Sequence, residues 1–296
     1  MSPENPTAPS ASKAFKSLLR RVMAFLAVLV VARFVLEVAG MPESAAQYFS
    51  STAGLFLAAI YLAAIGPMRG GMRKFRQLLL PSLFISAWTA GWVILATIVS
   101  AVFRIERSHF AEKSDYGNWG HLGHHVLDHV MEIGVFFVLV LIMMAIIHVA
   151  WRWPVAVAPV AVLGALVIMR YWVEAMGTAP AAAAAWSSTI GALLGAFYIG
   201  GFGPRQGFGT PARLLVPSLV MAYAWRAWIF LAVLLSALIP FYKTHFFDPT
   251  GGRVVARLAR FLVGGVIVEG LVVSLIVWGI AVWIARATRP TPDAAT

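Results

Sequence analysis

The chain has 296 residues, 60% of them hydrophobic and only 12% charged, with a mean hydropathy of +0.83; an ordinary soluble domain is excluded, and lipid is the main solvent. A net charge of +11 would point to nucleic acid in a soluble protein, but here the basic residues sit in short segments between apolar runs, where they set membrane orientation, so no nucleic-acid partner is expected. With no cysteine, disulfides, thiolate nucleophiles, iron–sulfur centres and cysteine-ligated zinc are also excluded.

Residues 1–15 read as a disordered cytoplasmic tail, rich in Pro, Ser and Ala at its start. Eight apolar runs follow that can cross a hydrocarbon core of ~30 Å at about 1.5 Å per residue. They are Val22 to Val38, Ser50 to Gly66, Leu78 to Phe103, Val130 to Ala150, Pro154 to Met176, Trp186 to Gly203, Leu214 to Phe241 and Phe261 to Ile284. Residues 290–296 form a second cytoplasmic tail.

The runs belong to a repeat. Ser50 to Pro67 aligns without gaps on Ser187 to Pro204, nine of eighteen residues being identical. At the same offset of 137, Arg33 and Glu37 fall on Arg170 and Glu174, and Glu132 falls on Glu269. After a one-residue slip, Pro81, Trp92, Ser100 and His109-Phe110 fall on Pro217, Trp228, Ser236 and His245-Phe246. Chance likeness between apolar helices does not reproduce prolines, charges and loop residues together.

The expected fold is therefore an all-α integral membrane protein of eight transmembrane helices. They form two tandem, parallel four-helix repeats, 16–150 and 151–289, related by a pseudo-twofold axis along the membrane normal. The basic stretch before Val22 has the layout of a signal peptide, but its helix corresponds to an internal one and is expected to be retained. With the N-terminus inside, thirteen Lys and Arg lie inside and seven outside, which places both termini in the cytoplasm of a cell with an inner membrane.

A charge at the centre of a span is unfavourable by about 2.5 to 3.5 kcal/mol on insertion scales, so buried charges have partners or roles. Arg33 with Glu37, and Arg170 with Glu174, are spaced i,i+4 and can pair on one helix face. Arg226 has Ala90 at its matching position and is expected to contact Glu269 on the next helix. Arg33, Glu37, Glu132, Arg170, Glu174, Arg226 and Glu269 are thus the candidate ligand or ion pathway, with the Arg/Glu pairs facing each other between the repeats. Small residues along the sixth helix, including Gly191 and Gly195, and alanines along the second mark a helix-packing centre, with Tyr61 and Tyr198 at the interface. Pro81 and Pro217 fit first-turn positions.

Before the fourth span, His121, His125 and His129 form an i,i+4,i+8 stripe with Glu132 close by, a donor set suited to a divalent metal; no other cofactor is expected. The segment resembles the histidine boxes of membrane fatty-acid desaturases and hydroxylases, with HxxHH at His121 to His125 and HxxxH at His125 to His129. The match covers nine residues, and the family's further boxes are missing, so the chain is not placed in it.

Three functions fit this pattern. The first is a transporter or binder of a small anion, a proton or a lipid headgroup through the Arg/Glu pairs. The second is a non-catalytic structural or assembly subunit, with a homo-oligomer or a membrane complex as partner besides the bilayer. The third is a metal-dependent membrane enzyme using the histidine stripe.

Overall fold

The computed structural model describes residues 11–238, 244–246 and 254–288, and among them every long element is helical. The expected tail at 290–296 lies outside the described residues, as do residues 1–10. The chain divides into two compact units, Met1–Ala145 and Ile146–Thr296.

In the first unit, α1 runs Ala11–Val38, so it starts inside the stretch expected as a tail and carries Lys13, Lys16, Arg20 and Arg21 on helical turns. α2 (Ser51–Ile65) and α3 (Leu79–Val102) pack against it and against each other. The Ser50 side chain accepts from the Ala53 backbone N–H at 3.2 Å and caps α2, which sets its start. Trp88 Nε1 donates to the Met23 carbonyl at 2.8 Å and pins α3 to α1. α4 (Trp119–Ala150) begins eleven residues before the apolar run expected there, because Asn118 caps it by accepting from the His121 N–H at 3.1 Å. The histidine stripe is therefore the first part of this long helix.

In the second unit, α5 (Pro154–Ala175), α6 (Ser188–Phe202) and α7 (Pro211–Leu238) pack pairwise, and α8 (Val254–Ala287) covers α6 and α7. Trp228 is fully buried, its Nε1 donating to the Val160 carbonyl at 3.1 Å, over Gly164 where no side chain fits. Thr210 caps α7 by accepting from the Arg213 N–H, and Pro211 takes the first helical position. Pro217 is consequently interior and not in the first turn as expected, whereas Pro81 is the third residue of α3. α8 contains a π-helical stretch, Phe261–Val268.

α1 and α5 end alike. Gly40 (φ +96°) and Gly177 (φ +86°) adopt the left-handed conformation that glycine alone accepts cheaply. Each donates back to the last turn, Gly40 to Glu37 and Gly177 to Glu174, and the next residue donates to Leu36 or Val173, a Schellman stop.

Seven helices, α2 to α8 with their flanking turns, are long and apolar enough to cross a membrane among the described residues. α1 is a further helix of 28 residues. Val28, Val31 and Val35 on α1 and Leu271, Val272, Leu275 and Ile276 on α8 are exposed, an outer surface that suits lipid and not water. The molecule is a multi-pass helical membrane protein in contact with the bilayer.

Candidate functional site

The Arg33 and Glu37 side chains lie one turn apart near the end of α1. Arg33 Nε donates to Glu37 Oε1 at 3.1 Å, and Arg33 also lies 6.0 Å from the Phe110 ring centre. Glu37 is buried, 1% exposed. Its other oxygen is held by the loop that follows α3: the His109 backbone N–H donates to Oε2 at 3.1 Å, and His109 Nδ1 lies 2.6 Å from the same atom. With the carboxylate ionised, Nδ1 carries the hydrogen and Nε2 is the free nitrogen. The loop is braced by Ser100 Oγ donating to Ser108 Oγ at 2.9 Å and by Phe110 against Phe34.

The second unit builds the same cluster. Arg170 Nε donates to Glu174 Oε1 at 3.1 Å, the His245 N–H donates to Glu174 Oε2 at 2.9 Å, and His245 Nδ1 lies 2.6 Å from that oxygen. Glu174 is again buried. Ser236 bonds Thr244 at 2.7 Å, and Phe246 packs on Tyr171, the residue aligned with Phe34. In both clusters the imidazole is partly open, 26% exposed at His109 and 35% at His245.

His109 and His245 were not among the expected site residues. Singly they look scattered; the signal that identifies them is their alignment on each other beside the aligned Arg/Glu pairs.

The other expected residues form separate groups. Arg226 contacts Glu269, as expected, and its Nε donates to the Gly265 carbonyl at 2.7 Å inside the π-helical stretch. The Phe261 ring lies 5.6 Å from the guanidinium. Glu132 pairs with His129 on its own helix, Nδ1 to Oε2 at 2.9 Å. Gly191 and Gly195 are buried against Leu166 and Met221 in the second unit. Tyr61, expected at the packing centre, is half exposed in a groove, and Tyr198 stacks on Phe202 at 4.8 Å. Each tyrosine carries a hydroxyl that favours a polar rim over an apolar contact.

The histidine stripe closes on carboxylates. Asp115, buried in the turn before α4, takes His121 Nδ1 on one oxygen at 2.7 Å and His125 Nδ1 on the other at 2.9 Å, and accepts from the Glu112 N–H at 2.8 Å. Among the described residues no group of three His, Asp or Glu is arranged to hold a metal ion. Burial pushes the Asp115 carboxyl up, but the hydrogen bonds from His121, His125 and Glu112 and the charge of His125 outweigh it and hold it below the usual carboxylate range.

Comparison with family models, with curated proteins and with solved structures gives no match.

Proposed function

We propose that this is an inner-membrane protein of eight spans with both termini cytoplasmic, made by duplication of a four-helix unit, and that it binds and exchanges protons at two Arg–Glu–His clusters. The observation that carries this reading is the cluster built twice, in which a buried carboxylate is tied to an imidazole with an open edge. An imidazole can take a proton at Nε2 and release one from Nδ1, so His109 and His245 connect the surroundings to Glu37 and Glu174. Binding of a small anion fits less well, because each arginine already directs its Nε at a carboxylate.

The test is proteoliposomes with a trapped pH-sensitive dye. The Glu37→Gln and Glu174→Gln double variant should relax an imposed pH step at least tenfold more slowly while remaining monodisperse. A structural or assembly subunit is the second reading, favoured by the same contacts because they clamp a loop to a helix end. It requires unchanged relaxation together with a lowered unfolding temperature.

A further inference from the structure

We propose that the groove between the first half of α1 and α2 is a binding site for an anionic phospholipid, taking the phosphate headgroup at its basic end and the start of an acyl chain along its apolar wall. The groove encloses about 600 Å³, within the range of roughly 300–1,000 Å³ typical of small-molecule sites. Lys13, Ser17 and Arg21 line it at i,i+4,i+8 on one face of α1, and Arg69 reaches it from the turn that ends α2. No carboxylate lines it. Further along the same helices the lining turns apolar, with Val22, Phe25 and Leu57. From Lys13 to Phe25 the helix rises ~18 Å, so charge and hydrocarbon are separated along the groove as they are along a phospholipid.

The basic end is held in shape. Phe15 packs onto Gly66 and Gly71, on either side of Arg69, so closely that a side chain at Gly71 would lie 2.4 Å from the ring. That contact keeps Arg69 beside α1. Tyr61 stands in the lining with half its surface free, its hydroxyl suited to the ester or phosphate oxygens between the two ends. At the repeat offset the positions of Lys13, Arg21 and Arg69 are Ala150, Ala158 and Gln206, so the three cations belong to the first unit only. Their clustering is therefore not a by-product of the duplicated fold.

A free phosphate would satisfy the cations but not the apolar wall, and the test separates the two. The full-length protein in detergent is titrated with dioleoyl-phosphatidylglycerol, with dioleoyl-phosphatidylcholine and with inorganic phosphate, and bound lipid is counted by native mass spectrometry. Each basic residue near an anionic headgroup contributes about 1 kcal/mol, or about fivefold, so K13Q/R21Q/R69Q should bind phosphatidylglycerol about 100-fold more weakly. R152Q/R205Q/R213Q, which removes three charges from the second unit, should leave binding unchanged. Leu57→Trp, which fills the apolar wall and keeps every charge, should weaken binding at least tenfold. Equal binding of phosphatidylcholine, displacement by millimolar phosphate, equal loss in the second-unit variant, or full binding by Leu57→Trp would each overturn the proposal.

Discussion

A buried carboxylate is tolerated only if it is paired, and Glu37 shows how completely: one oxygen faces Arg33, the other a backbone N–H and an imidazole. Removing it leaves Arg33 without its counter-charge, so Glu37→Ala should destabilise the first unit by roughly 3–5 kcal/mol, read as a drop in unfolding temperature. His109→Ala removes the ring contact but keeps the backbone one, and should cost about 1.5–3 kcal/mol. Asp115 gives a pH dependence outside the spans. Its carboxyl is held below the ordinary range, so its contribution is present above that range and is lost as pH falls through the depressed value. Hydrogen-exchange protection at the first turns of α4, taken relative to the intrinsic rate at each pH, should therefore fall in acid, and Asp115→Asn should show the lowered protection at every pH. At this scale Arg33 and Glu37 are legible because i,i+4 partners are set by the helix alone. Their histidine is 72 positions away from the glutamate and is brought there only by the return of the loop.

Between helices, the decisive contacts are those where no side chain can yield. A Cβ at Gly200 would lie 2.5 Å from the Ala281 carbonyl oxygen and 3.0 Å from its Cα, so α6 and α8 meet backbone to backbone there. Gly200→Ala should destabilise by roughly 1–3 kcal/mol or more, whereas Gly201→Ala, with open space around it, should not lower the unfolding temperature. Gly191 and Gly195 face Leu166 and Met221 side chains, which can move, and matter less. The small residues of α6 are readable in the sequence; which of them touches backbone depends on the rotation of α8. The π-helical stretch of α8 is likewise invisible in an apolar run, yet it presents the Gly265 carbonyl to Arg226. Because Arg226 and Glu269 pair, exchanging the two residues should restore folded yield lost in either single reversal.

For the whole chain, the number of crossings is open to direct measurement because there is no native cysteine. On the proposed topology, Ser12→Cys and Thr288→Cys should be labelled in intact cells only after the inner membrane is opened, and Ser114→Cys without opening it. Labelling of residues 12 and 288 from opposite sides would show seven crossings. Hydropathy, i,i+4 spacing and internal alignment are properties of local chain order, so the membrane class, the positions of the long helices to within a few turns and the matching charges of the two halves are readable from residue order alone. The folded arrangement adds that each Arg/Glu pair closes on a histidine, that Asp115 takes two of the three imidazoles of the stripe, and that three cations converge on one groove. Those outcomes depend on where loops return and how helices rotate about their axes, which residue order along a helix does not specify.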